Sequence, residues 1–127
     1  MPDLRQRTGV ILQNHGLVSI LTAAENVSLP LQVRQVPPTE MQQRTEDALA
    51  AVGLGEVSDH LVQDLSSGQQ RRVGVARALA GDPDLLIADE PTSELAAKDR
   101  STVLSLIRRH AHKGRIVVLA SHDPARS

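Results

Sequence analysis

The stretch Leu65–Arg72, "LSSGQQRR", runs directly into Val73–Ser93, "VGVARALAGDPDLLIADEPTS". Ser66 and Gln69, and equally Ser67 and Gln70, stand at capping-box spacing, which predicts a helix from about Gly68. Gly81-Asp82-Pro83 should end it. "DLLIADEP" then reads as one uninterrupted apolar run closed by Asp89-Glu90, the pattern of a strand covered on both faces in a parallel sheet.

Working outward, "TGVIL" (Thr8–Leu12) is short and β-branched, a buried strand that stops at the polar "QNHG". In "LTAAENVSLPLQVR", Thr22 and Glu25 open a helix that Pro30 should break or kink. "VPPTEMQQRTEDALAAVGLG" predicts a second helix, with Thr39 and Gln42 as its capping box, Met41, Leu49 and Val52 on one face, and Gly53 as its stop. Leu21 to about Gln63 is therefore a helical insertion rather than sheet. "KDRSTVLSLIRRHAHKG" has Asp99 near its start and Arg108, Arg109, His110, His112 and Lys113 near its end, matching the helix dipole. "RIVVLAS" is a further buried strand, ending at Ser121-His122-Asp123. Strands joined by crossover helices imply a doubly wound α/β sheet.

A chain of 127 residues is enough for one domain, here read as an incomplete one. Fourteen Lys+Arg against fifteen Asp+Glu supply no global field for nucleic acid or an anionic membrane, so any phosphate binding must be local. With no cysteine there is neither a disulfide framework nor a thiolate metal site. No apolar run approaches a membrane span or a secretory signal, so a soluble, cytoplasmic chain is expected. Phe, Tyr and Trp are all absent, which leaves the core to aliphatic residues and removes any platform for stacked bases.

In open parallel sheets ligands bind beyond the carboxyl ends of the strands. Those ends carry Gln13, Asp89-Glu90 and His122. Neighbouring residues on a strand point oppositely, so Asp89 and Glu90 would serve different tasks, one holding hydrated Mg²⁺ and the other facing a water. At the helix start, unpaired N–H groups and the small residues Ser66, Ser67 and Gly68 would admit an anion. Each feature alone also has a plain reading: a solvated turn before Pro91, a capped helix that binds nothing, a bystander histidine. Arg71 and Arg72 read as a solvated helix face, and the two-residue spacing of His110 and His112 puts them on different helix faces.

Together these segments resemble the nucleotide-binding domain of the ATP-binding cassette (ABC) ATPases. "LSSGQQRR" is similar to that family's signature motif, "LLIADEPTS" to its Walker B strand and catalytic glutamate, "ILQN" to its Q-loop and "LASHDP" to its switch-histidine loop. The resemblance implies a partial P-loop NTPase-like (RecA-like) parallel sheet with a helical insertion subdomain. Residues 1–127 would form an incomplete nucleotide-binding domain: about 14–67 the Q-loop and helical subdomain, 68–127 the signature helix, Walker B strand, D-loop and switch-histidine strand. It also implies roles. Asp89 would hold Mg²⁺ through water, Glu90 would polarise the attacking water, and His122 would contact the γ-phosphate. Gln13 would link metal and water to the helical subdomain. Ser66, Ser67, Gly68 and Gln69 would meet the γ-phosphate of an ATP held by a second nucleotide-binding domain in a head-to-tail dimer. A transmembrane permease subunit would be the other partner, placing the chain at the inner face of the plasma membrane; nucleic acid is not expected.

The departures from the family pattern are specific. A P-loop requires Gly-x-x-x-x-Gly-Lys-Ser/Thr, and the chain's two lysines, Lys98 and Lys113, follow no such run. An N-terminally truncated domain that binds ATP weakly or not at all by itself is therefore expected. Ser67 replaces the first of two signature glycines, Ala96 stands at the usual D-loop aspartate, and Leu12 stands where an aromatic commonly precedes the glutamine. Two functions from different classes follow: the ATP-hydrolysing subunit of a membrane transporter, or an inactive module that docks on a permease or a full-length ATPase. A DNA-repair ATPase would need coiled-coil heptads or a basic stripe, and the sequence has neither.

Overall fold

The computed structural model describes residues 8–12 and 16–120. Three short strands, β1 (Thr8–Ile11), β2 (Leu85–Asp89) and β3 (Ile116–Ala120), form a parallel sheet in the order β1-β2-β3. Between β1 and β2 the chain passes through α1 (Ala23–Val33), α2 (Pro38–Ala51), two 3₁₀ turns and α3 (Ser67–Ala80); α4 (Ala97–Ala111) connects β2 to β3. The pairing aligns Gly9 with Leu86 and Val117, and Ile11 with Ala88 and Leu119. Because side chains alternate, these rows share the face on which the helices lie. Gly9 is required there: a Cβ would come within 2.8 Å of the Pro83 side chain and 3.2 Å of the Ala78 carbonyl on α3.

The expectation of strands buried on both faces is corrected. The opposite row of Val10, Ile87 and Val118 is only partly covered, and β3 shows Ile116 at 55% and Val118 at 48% exposure. Among the described residues, the helices lie against one side of the sheet and leave Leu119 on that side 57% exposed, so an aliphatic run recorded the composition of the strand but not how many layers cover it.

Two helix boundaries also differ from expectation. Pro30 lies inside α1, which continues to Val33. An interior proline costs about 3 kcal/mol through a lost hydrogen bond and a ring clash. Val27 and Leu31, both fully buried along with Ala23, return about 1.5–3 kcal/mol each, enough to hold the helix through it. For α2, Pro38 occupies the first turn and Pro37 is the N-cap without a side-chain bond, so the Thr39–Gln42 capping box does not form. Proline's preset φ starts the helix ahead of Thr39, which is already helical, and Gln42 instead bonds Glu46 at 3.2 Å. The Thr22–Glu25 box does form.

The helical insertion is fastened to α3 by arginines. Arg44 donates from Nε and Nη2 to the Ala80 carbonyl at 3.1 and 2.8 Å, and Arg34 donates to the Gly81 carbonyl at 2.8 Å. Cations thereby satisfy carbonyls that the end of α3 leaves open.

Candidate functional site

The start of α3 carries a complete capping box. Ser66 Oγ accepts from the Gln69 N–H at 3.1 Å, and Gln69 Oε1 accepts from the Ser66 N–H at 2.9 Å. Both side chains are thus engaged in shaping the helix end. The N–H groups of Ser67 and Gly68 have no partner among the described residues, and Ser66 and Ser67 are exposed. A helix start with two free donors and small side chains is chemically suited to an anion.

The carboxyl end of β2 stands beside the turn that leads to α4. Asp89 closes the strand opposite Ala120, and the Glu90 N–H extends the ladder by donating to the Ala120 carbonyl at 3.0 Å. Glu90 itself leaves the strand with φ of 52°, and Glu94 has φ of 69°. The two carboxylates are therefore separated by a left-handed backbone step as well as by strand alternation. Such conformations are costly for residues other than glycine and concentrate at functional sites. The turn backs onto α3, where a Cβ on Gly68 would lie 3.4 Å from the Glu94 carbonyl oxygen and 3.8 Å from Leu95. The start of α3 and the acidic strand end meet across this turn.

Among the described residues no group of three or more His, Asp or Glu side chains could hold a metal. A lone strand-end aspartate matches the donor set Mg²⁺ uses when phosphate oxygens and water complete its shell, and does not match an all-protein cage. Gln13 and His122, assigned by resemblance to metal and γ-phosphate contacts, lie outside the described residues.

The reading of Arg71 and Arg72 as a solvated face is overturned. Arg71 is 1% exposed and donates from Nη1 to the Leu12 carbonyl at 2.6 Å. Burial lowers its pKa, opposed by the negative charges of Glu94, Asp89 and Glu90. Arg72 turns the other way, donating to the Val52 carbonyl at 2.9 Å and meeting Asp99 at 3.7 Å. Sequence reading also passed over Asn26. Fully buried, it accepts from the Val18 N–H at 2.8 Å and donates to the Val18 and Thr22 carbonyls at 3.0 Å, pinning the segment that follows β1 to α1. An asparagine amid apolar helix positions was the available signal. His110, at the far end of α4, is buried with Nε2 2.7 Å from the Pro83 carbonyl.

Residues 1–93 match the family model described as ABC transporter. The chain belongs to the ABC transporter family. An uncharacterised ABC transporter ATP-binding protein of Mycobacterium tuberculosis is 48% identical over 119 residues, covering 94% of this chain and 36% of that protein. The methionine import ATP-binding protein MetN of Brucella abortus is 38% identical over 121 residues, covering 94% of this chain and 33% of MetN. Among solved structures, the ATP-binding cassette MJ0796, dimeric and bound to ADP and Pi, superposes with a TM-score of 0.85 at 34% identity, covering 93% of this chain and 53% of that one. The ABC chain described here thus spans about a third of these curated relatives and about half of the cassette. Its parallel sheet with helices is the P-loop NTPase fold of such cassettes, a family that binds nucleotide. Among the described residues no helix is long and apolar enough to cross a membrane.

Proposed function

We propose that this chain supplies the signature and Walker B portion of the ATP-hydrolysing subunit of an ABC-type transporter. The observation that carries the proposal is the pair of free N–H groups at Ser67 and Gly68, held beside the Asp89-Glu90 strand end by the Glu90–Glu94 turn. In this reading Ser66, Ser67, Gly68 and Gln69 shape an anion seat for the γ-phosphate of ATP on a second nucleotide-binding domain. Asp89 holds Mg²⁺ through water, with Gln13, and Glu90 takes a proton from the attacking water. His122 stabilises charge on the transferred phosphoryl group. Phosphoryl transfer depends mainly on positioning and charge stabilisation, which these groups provide. Mg²⁺ would screen the phosphate charge when bound.

The residues present fit only part of ATP. In this reading the chain supplies a seat for a terminal phosphate, whereas the sequence contains no Gly-x-x-x-x-Gly-Lys run to cradle the remaining phosphates. Turnover accordingly requires a Walker A-bearing segment. The division into a helical subdomain (about 14–67) and a signature and Walker B part (68–127) follows the same reading. A groove of about 380 Å³ between α1 and α2, lined by Met41, Thr45 and Leu49 with Glu25 and Glu46 at its rim, supports contact of the helical part with a permease. That contact would hold the chain at the inner face of the plasma membrane.

The groove between α1 and α2 also supports a second reading, an inactive docking module. One experiment separates the two. Supplied with a Walker A-bearing half, the wild-type chain should hydrolyse Mg·ATP, and Glu90→Gln should abolish turnover while calorimetry still detects ATP. Equal turnover in both proteins would remove Glu90 as the base; no turnover in either, with intact permease binding, would establish the docking module.

A further inference from the structure

We infer that Arg71 is a positioning residue that couples the end of β1 to the anion seat at the start of α3. The inference rests on the function proposed above. A charge with 1% exposure is expensive, since removing an ion from water costs several kcal/mol. Packing alone would be served better by methionine or leucine. What the guanidinium does is bond the Leu12 carbonyl at 2.6 Å, immediately before Gln13, while the charges of Glu94, Asp89 and Glu90 act on it. Asp89 and Glu90 lie at the strand end, and Glu94 closes the turn that approaches Gly68. Arg71 sits four residues after Ser67, about 6 Å along the helix axis. A displacement of the Leu12 carbonyl is therefore passed by this charge-assisted hydrogen bond to a point one turn below the N–H pair of Ser67 and Gly68.

Arg72 makes the same helical turn a junction. Its bonds to the end of α2 and to Asp99 of α4 fasten α3 on the opposite side. The two arginines hold α3 between the sheet and the helical insertion, and only Arg71 faces the acidic strand end. Arg71 contacts neither phosphate nor water in this scheme. It sets where Ser67 and Gly68 stand when the site closes.

The test uses Arg71→Met, which keeps length and loses charge and donors, and Arg71→Lys, which keeps charge with a compact head. Arg108→Met, exposed on the last turn of α4, is the control. With the Walker A-bearing half supplied, Arg71→Met should lower kcat about 10- to 100-fold, the range of one hydrogen bond to a charged group. KM for Mg·ATP should stay within about twofold, because the main cradle lies elsewhere. Arg71→Lys should recover part of the loss. Unchanged kcat in Arg71→Met, or equal loss in both variants, overturns the inference. A second readout needs no turnover. In the chain alone, NMR should show Arg71→Met moving both the Leu12 carbonyl resonance and the Ser67 and Gly68 amides, with Arg71→Lys moving them less. Either set unmoved also overturns it. If wild type fails to hydrolyse yet these resonances move together, the catalytic reading fails and the coupling stands. Should Arg71→Met not fold, Arg71→Lys carries both measurements.

Discussion

Replacing Ala96 with aspartate should stabilise the fold. Ala96 is the N-cap of α4, with φ −66° and ψ 160°, and makes no side-chain cap bond. Its backbone already has the extended geometry a capping residue adopts, so Asp could accept from the N–H two or three positions on without rearrangement. A cap of this kind is worth about 1 kcal/mol. The added negative charge gains about 0.3–1 kcal/mol at the helix start. Against this stands repulsion from Asp99 of about 0.2–0.5 kcal/mol, moderated because Asp99 already faces Arg72 at 3.7 Å. The net expectation is about 1 kcal/mol. For a chain of 127 residues this corresponds to a rise in Tm of about 4 °C. Urea unfolding at neutral pH would measure it, with Ala96→Asn retaining the acceptor but not the charge. Asp should exceed Asn at low salt, and the excess should shrink as salt screens it. A gain below about 0.3 kcal/mol for both variants would refute the reasoning, because the cap vacancy would then have no energetic meaning.

Further perturbations address buried polar groups. Thr45 is buried and its hydroxyl has no hydrogen-bond partner among the described residues, so Thr45→Val should raise stability by about 1 kcal/mol in urea titrations; a loss would show that the hydroxyl has a partner. Asp82 is raised by burial, but the hydrogen bond from Arg115 and the charges of Arg115, Lys113 and His110 outweigh this and hold its pKa below the usual value. A carboxylate with a depressed folded pKa stabilises the protein above its unfolded pKa near about 4, and that stability is lost as pH falls through the folded value. Asp82→Asn should flatten the acid limb of the stability profile below about pH 4, and an unchanged slope would contradict the pairing.

Local signals were legible where one short-range interaction decides the conformation. The boxes of Thr22 with Glu25 and Ser66 with Gln69 formed as spaced, and glycine and proline closed α2 and α3 near the expected residues. Thr39 misled because the cap falls on Pro37 and Pro38 opens the helix, two residues ahead of a start capped by Thr39, a competition that spacing alone does not rank. Pro30 misled because burial of Val27 and Leu31 is a tertiary term. Of the candidate site, the helix start and the strand-end acids were visible as motifs. Arg71 was not: beside Arg72 it reads as surface charge, and its fate depends on a carbonyl 59 residues away. No local pattern records such a pairing.

The outer edge of β3 has a consequence for association of the chain. Among the described residues this strand bonds β2 alone, while Ile116, Val118 and Leu119 are open to solvent. Unpaired backbone donors and acceptors beside aliphatic side chains form a template for any extended polypeptide. Covering this margin with a further strand would remove a site for edge-to-edge association.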